Sequence, residues 1–588
     1  MLRCLATLLV LASAAAAQER RDELLKVAFA VDASRPEGGS IRVAMTLTGS
    51  DEDAVRVAIP AWAPGAYRIV QYCKDVRDVR AADPKGSKLE VRPVDEQTWE
   101  VRAGGAPEFT VTYDLAVDRN RMDKDHCYLA GPDTYFYVVG RKGAPCRVRF
   151  TLPDGWKVGT PLDRDGDEYR ARDYDTFVDG PTELGKFELV EFDQDGVRYQ
   201  LVIHASGPVD GPRFVSMLRK IVAEQNRMFG EMPFRRYVFL YHFRGGSGGY
   251  GLEHLNSTNI NLPYVAVKAE PLVAASISSH EYFHLWNVKR IRPAVLGPFD
   301  YTQPVRTRAL WFCEGGTSYF GDRALARCGI WSEDRYFKHL AEEVETLQNN
   351  PDRLVTSVEK ASWTVWDRKD YPRVDYYNKG ELLGLLIDLK MRTASGGRKN
   401  FDDVLRRLYE EFCLKPAREG KGWIGVGFPE EGILKAVEDV SGESWKDFFA
   451  KYIAGVEELP YREALRPAGL GVDLEVSRQA DLGFPVRGTA VLSVPSGGEA
   501  EQAGIKANDR IAAINGVEVT RSTLWTQVGK LRAGGEAQLT LQRDGASVEV
   551  TLKLGVRERT TCRIRRAEDP SEVQQRILDT WLNRRREY

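Results

Sequence analysis

Two of the seven histidines in this 588-residue chain stand four positions apart in SISSHEYFHLWNVKRIRP, residues 276–293, with a glutamate directly after the first. In a helix, residues four apart share a face, so His280 and His284 can bring imidazole nitrogens to one ion. Glu281 lies about 100 degrees around the helix from His280, beside such an ion and not on it, where a general base is wanted. The flanks permit a helix: Pro271 can occupy its first turn, LVAASISS carries the apolar side, and Pro293 stops continuation. The same pattern also arises by chance where two histidines merely pack in a core, so a further ligand must decide. A zinc site of this type needs a third protein ligand and leaves the fourth position for water. The segment LWFCEGGTSYFGD offers Glu314, thirty positions after His284, in an apolar stretch where an acidic side chain is costly to bury without a partner. The chemistry that follows is hydrolysis. The ion lowers the pKa of a water towards about 7, Glu281 takes its proton, and a carbonyl polarised by the metal is attacked. An oxyanion needs a further donor, and DYYNKG provides Tyr376 and Tyr377, of which one can reach the site because adjacent helical positions diverge by about 100 degrees.

The elements that must hold these residues are legible in the patterning. Short alternating runs such as KVAFAVD, IRVAMTLTG, FTVTYDLAV and CRVRFTLP, broken by Gly, Pro and Asp, predict a sandwich-like β domain over residues 18–206. From 207 to 460 the pattern is mainly helical, with FVSMLRKIVAEQNRMFG, LLGLLIDLKMR, FDDVLRRLYEEF and SWKDFFAKYIAG around the strand-like YVFLYHF. Strand rhythm returns over 465–556, and 557–588 is expected to be a helical tail in which Val573, Ile577, Trp581 and Leu582 dock on the protein's own body. The fold class is thus multidomain α+β.

Composition limits the partners. Lys and Arg number 83 against 85 Asp and Glu, a formal net charge of -2, which offers no overall field for nucleic acid or an anionic membrane. The opening MLRCLATLLVLASAAAAQE reads as a signal peptide cleaved after Ala17, too short to span a bilayer, so the protein is expected to be exported to the periplasm or outside. Cleavage removes Cys4 and leaves seven cysteines without CxxC spacing, which excludes a zinc ribbon and a dense disulfide scaffold and leaves a Cys127–Cys146 bridge open.

Nearly the whole mature chain resembles the glycyl aminopeptidase family of PDZ-containing gluzincin metallopeptidases. The resemblance is carried in order by PAWAPGAYRI, GGYGLEHLNS, SSHEYFHLWNVKRIRP, WFCEGGTSYFGD and YYNKGELLGLLIDLKMR. It implies an N-terminal β domain, a thermolysin-like, mainly helical catalytic domain, and a PDZ domain. Carried over by residue, it makes His280, His284 and Glu314 the ligands of one zinc ion and Glu281 the base. It selects Tyr377 as the oxyanion donor, makes Glu253 the carboxylate that holds the α-amine of a peptide substrate, and suggests a preference for small N-terminal residues, Gly or Ala. His254, Thr317, Ser318 and Asp322 are read as supporting residues that could orient a ligand. Lys289, Arg290 and Arg292 most simply offset the dipole at the helix C-terminus.

PSGGEAEQAGIKANDRIAAINGVEV resembles the middle of a PDZ domain, with Asn508 where Gly is usual and Glu499 where Pro is usual. Such a domain takes a chain end by strand addition and capture of its carboxylate. GLGV, 469–472, is the preferred carboxylate loop, and DLGF, 481–484, competes. Three functions remain distinct at this point: an exported zinc aminopeptidase, a zinc endopeptidase, and a non-catalytic PDZ adaptor on a retired peptidase scaffold.

Overall fold

The structure, a computed structural model, describes residues 22, 24–230, 232–246, 248–367 and 374–582. Residues 1–17, read as the signal peptide, lie outside them. Among the described residues no helix is long and apolar enough to cross a membrane. The chain forms two compact units, one of residues 1–336, 352–469 and 569–588, the other of 337–351 and 470–568.

Alternation builds the N-terminal β domain. Val27, Phe29 and Val31 of the strand Lys26–Asp32 point inward, as do Ile41, Val43, Met45 and Leu47 of Ser40–Thr48. The two strands pair antiparallel with Val31 opposite Val43, and Ser40–Thr48 pairs on its other side with Glu108–Ala116. Burying every second side chain in this way creates one apolar face per strand. An eleven-stranded and a three-stranded sheet both contribute to the core beneath it.

The sheet of the helical part corrects one expected boundary. Glu188–Gln194 and Val197–Ala205, placed by their rhythm in the N-terminal domain, belong instead to a five-stranded sheet with Arg236–Arg244, Ser257–Pro263 and the edge strand Tyr250–Glu253. Alternation shows that a segment is a strand and says nothing about which sheet it joins. The central Arg236–Arg244 runs parallel to both neighbours and is buried almost throughout, which is why it reads as the unbroken apolar run YVFLYHF.

The helix Gly211–Phe229 packs beside the histidine helix Ala275–Phe283, and Gln225 Nε2 donates to Ser279 O (2.9 Å) and Ser279 Oγ (2.8 Å). The helix Tyr376–Ser395 starts where Asp375 accepts from Tyr377 N at 2.8 Å, an N-cap that satisfies an otherwise open donor. It is locked inside by Asp388, which accepts from Arg323 (2.6 Å) on the helix Thr317–Arg327 and from Arg392 (2.9 Å).

The expected helical tail is helical only in part. Gly555–Arg566 is a strand paired along its length with Leu470–Asp481, and its far edge is held by Thr560 N to Asn349 Oδ1 (2.9 Å) and Cys562 N to Glu345 Oε1 (2.8 Å). GLGV starts Leu470–Asp481 inside this ribbon, so it is not a carboxylate loop. DLGF, the competing candidate, leads into Val486–Arg487 and buries Leu482 and Phe484 in the core of the second unit. Its Gly483 N–H is already bound by Asp481 Oδ1 at 3.0 Å, with which an arriving chain-end carboxylate would compete. Asn508 has φ 73°, a left-handed conformation that Asn tolerates, which accounts for its standing where Gly is usual.

The helix Glu572–Leu582 follows the second unit's strands in sequence and belongs to the first unit. Trp581 is fully buried there, its ring tilted against Tyr336 with centres 5.7 Å apart, and donates from Nε1 to Tyr319 OH at 2.9 Å, while Arg392 Nη1 donates to Thr580 O at 2.8 Å. Trp581→Ala is therefore expected to destabilise the first unit by about 3–5 kcal/mol, the usual cost of emptying a large aromatic site. Urea unfolding checks this, and a change below about 1 kcal/mol would mean that the tail docks weakly.

Candidate metal and peptidase site

The helix bearing the histidines is shorter than its flanking prolines suggest. A tight turn over Pro271–Ala274, with Glu270 accepting from Leu272 N at 3.0 Å, feeds the helix Ala275–Phe283, and His284 caps its end. Beyond it the chain stays in irregular turns, in which the His284 carbonyl accepts from Val288 N (3.2 Å) and Lys289 N (3.0 Å). The three basic residues that follow are buried staples and not dipole partners in solvent. Lys289 pairs with Asp179 (2.7 Å), Arg290 donates to Leu255 O (2.9 Å) and Leu285 O (2.7 Å), and Arg292 donates to Gly297 O (3.0 Å) and Gly425 O (3.3 Å). His254 also turns to Asp179, at 3.2 Å, and is structural.

His280, His284 and Glu314 converge. The two Nε2 atoms are 2.9 Å apart, and Glu314 Oε2 lies 3.3 Å from His284 Nε2 and 3.7 Å from His280 Nε2. Donors held about 2.0–2.1 Å from a tetrahedral zinc ion would stand about 3.3 Å from one another, so the spacing suits that ion. The tautomers suit it too. His284 Nδ1 donates to Asn287 O at 2.7 Å; a backbone carbonyl can only accept, so a proton sits on Nδ1 and Nε2 is the nitrogen turned to the cluster. His280 Nδ1 meets Ser318 Oγ at 3.2 Å. Thr317 Oγ1 lies 2.9 Å from the same Asn287 carbonyl and steadies it. Asp322 turns elsewhere, accepting from Ser276 Oγ at 2.7 Å. Burial works to raise the Glu314 carboxyl, and the imidazoles beside it, His284 foremost, outweigh it and leave the group well below its ordinary range.

Glu314 sits on a wide π-helical turn, Trp311–Gly316, and not on the regular helix that the apolar stretch suggests. Such turns are frequent at functional sites because they re-aim one side chain. Two glycines let this turn touch the helix Tyr376–Ser395 backbone to backbone. A Cβ on Gly315 would lie 2.4 Å from Gly380 Cα, and one on Gly380 would lie 2.3 Å from Trp311 O. That contact carries Tyr377 to the cluster, where its ring lies 5.9 Å from that of His280, centre to centre. Tyr377 is about 36% exposed, whereas Tyr376 is buried. Partial burial, with the Glu314 carboxylate nearby, raises the Tyr377 hydroxyl and keeps it a donor.

Glu281 is buried, and its Oε2 has no hydrogen-bond partner among the described residues. Burial pushes its carboxyl well up; Glu253 and Glu314 add to the rise and His284 opposes it. Its other oxygen lies against the edge strand, so closely that a Cβ on Gly251 would come within 2.0 Å of Oε1. Ligand atoms of Glu253, Glu281 and His284 lie within 4.8 Å of one another. The structure thus brings together the six residues singled out from the sequence.

Two further residues went unassigned. Tyr67 OH donates to Glu314 Oε1 at 3.4 Å, and a Cβ on Gly65 would lie 2.7 Å from Glu253 Oε2. Both come from PAWAPGAYRI in the N-terminal domain, where Gly65 (φ 87°) and Tyr67 (φ 42°) adopt left-handed conformations. The motif was visible, but no spacing rule connects it to a carboxylate 247 positions away. The seven described cysteines are all free thiols, which closes the question of a Cys127–Cys146 bridge.

Comparison with known proteins agrees with this architecture. Residues 28–186 match the peptidase M61 N-terminal domain, 273–383 the M61 glycyl aminopeptidase and 468–554 a PDZ domain. Comparison with curated proteins gives no match. Among solved structures the chain is similar to an aminopeptidase N family protein from Idiomarina loihiensis, at 24% identity and a TM-score of 0.83, over 95% of this chain and 100% of that one. It also aligns with an M1 zinc metallopeptidase from Deinococcus radiodurans, at 14% identity and a TM-score of 0.47, over 74% of this chain and 95% of that one. The first likeness shows a shared fold along almost the entire length. The chain therefore carries the N-terminal and peptidase domains of the M61 glycyl aminopeptidase family, with a PDZ domain after them.

Proposed function

We propose that this protein is an exported zinc aminopeptidase that removes the N-terminal residue of peptides. The observation that carries the reading is the convergence of His280 Nε2, His284 Nε2 and Glu314 Oε2 at distances of 2.9–3.7 Å, a donor set suited to a cation. When bound, zinc would polarise the scissile carbonyl and acidify a water. Glu281 takes the proton of the attacking water on Oε2, whose burial and lack of a partner suit it to that task, and later returns it to the departing amine. Tyr377 donates its hydroxyl proton in a hydrogen bond to the developing oxyanion. Glu253 holds the substrate ammonium, and its place beside Glu281 and His284 at the end of the edge strand supports that role. The apolar leader in the sequence supports export.

The donor assignment has its own check. Tyr377→Phe is expected to lower kcat by roughly 100-fold or more with metal content unchanged. Tyr376→Phe, at a buried position, serves as the control, and a larger loss there would move the role by one residue. The function as a whole is tested by hydrolysis of a free-amine peptide set against its N-acetyl form. Faster cleavage of the free amine supports an aminopeptidase, and equal cleavage supports an endopeptidase.

A further inference from the structure

A cavity of about 280 Å³ opens beside the metal cluster. Glu253 and Tyr67 line it and also stand on the cluster, Glu253 beside Glu281 and His284, Tyr67 bonded to Glu314. The cavity therefore adjoins the cluster at the end where Glu253 would hold an amine. The N-terminal residue of a bound peptide has its amine at that carboxylate and its carbonyl at the metal ligands, so its side chain leaves a carbon atom lying between them. The cavity is the space next to that point.

The walls define what fits. Trp62, Leu255, Leu296, Phe299, Trp423 and Ile424 present apolar surface. Most of the polar groups around them are already engaged, Arg292 Nε excepted. Asp179 accepts from Lys289 Nζ and Leu255 N, each at 2.7 Å. Asp175 accepts from Tyr301 OH at 3.0 Å and Lys142 Nζ at 3.2 Å. Arg292 is held by two carbonyls, and Trp62 Nε1 donates to Asp300 O at 2.8 Å. A cationic side chain entering here would find the carboxylates of Asp175 and Asp179 already paired with lysines, whereas an apolar one is stabilised by leaving water. An apolar cavity of about 150 Å³ already admits benzene, so this one has room for a phenyl or phenol ring.

We infer that the cavity is the pocket for the substrate's N-terminal side chain and that it selects large apolar and aromatic residues over glycine and alanine. The inference rests on the aminopeptidase reading, and it departs from the small-residue preference that the family resemblance suggests. Trp423 and Ile424 sit between Gly422 and Gly425, both with left-handed φ (83° and 77°), so this wall of the pocket is set by a glycine-bounded loop.

The test is the kcat/KM of the zinc-loaded full chain on Gly-, Ala-, Leu- and Phe-amidomethylcoumarin, with N-acetyl-Phe-amidomethylcoumarin alongside. Phe and Leu are expected to exceed Gly by at least tenfold. Ile424→Trp, which fills the cavity, should lower the Phe/Gly ratio at least fivefold. Trp423→Ala, at a side chain already 37% exposed and so tolerant of change, should lower it as well. If Gly or Ala is cleaved fastest while the acetylated substrate stays poor, the pocket inference is overturned and the aminopeptidase reading stands. If the acetylated substrate is cleaved as fast as its free form, both fall. A Phe/Gly ratio unmoved in either folded variant would place the side chain elsewhere.

Discussion

Glu281→Gln is expected to lower turnover by about 100- to 10,000-fold while the protein keeps its zinc. The magnitude is that of a positioned general base. Glutamine has the shape of glutamate, which matters because Oε1 lies so close to the edge strand that Gly251 has no room for a Cβ. The amide cannot accept and hold a proton as a carboxylate does, so the substitution deletes the base and leaves His280, His284 and Glu314 untouched. A second effect separates this residue from a structural one. Burial pushes the Glu281 carboxyl well above its ordinary range, and its Oε2 has no hydrogen-bond partner among the described residues, so keeping it charged costs stability. Removing the charge should leave the melting temperature unchanged or raise it, as is common when a strained functional group is neutralised. Loss of zinc in the variant, measured by metal analysis, would instead make Glu281 part of the ligand set.

How much of this was legible in the sequence depended on whether the signal was local. Val27, Phe29 and Val31 announce their strand because a period of two residues is enough to bury one face. His280, Glu281 and His284 announce their geometry because one helical turn relates them. Glu314 could be nominated because a carboxylate is costly in so apolar a stretch, but its π-helical turn could not, since that turn packs backbone to backbone on a distant segment through Gly315 and Gly380. Tyr67 and Gly65 reach the site from a different domain. Lys289, Arg290 and Arg292 look like a solvated helix end in one dimension and turn out to be buried because Asp179 and backbone carbonyls of Leu255, Leu285, Gly297 and Gly425 await them. The strand Gly555–Arg566 reads as part of the tail because its charged residues, RERTTCRIRR, hide the alternation in a ribbon that is exposed along much of its length. In each case the missing information was the identity of a neighbour far away in the chain.

On the proposed function, recognition of the substrate amine by Glu253 is the second large effect expected. A free ammonium held by this buried carboxylate gains a charge-assisted hydrogen bond of about 1.5–3 kcal/mol. An acetylated substrate forfeits that bond and leaves the carboxylate without its partner, so the penalty should exceed tenfold, the factor that corresponds to about 1.4 kcal/mol. Glu253→Ala should narrow the gap chiefly by slowing the free-amine substrate, because the acetylated one never used the carboxylate. The most direct measurement of the account's central claim is therefore kcat/KM for one peptide with a free and with an acetylated N-terminus, in the unaltered enzyme and in Glu253→Ala. The account predicts more than a tenfold preference for the free amine that shrinks in the variant; equal rates for the two peptides in the unaltered enzyme would contradict it.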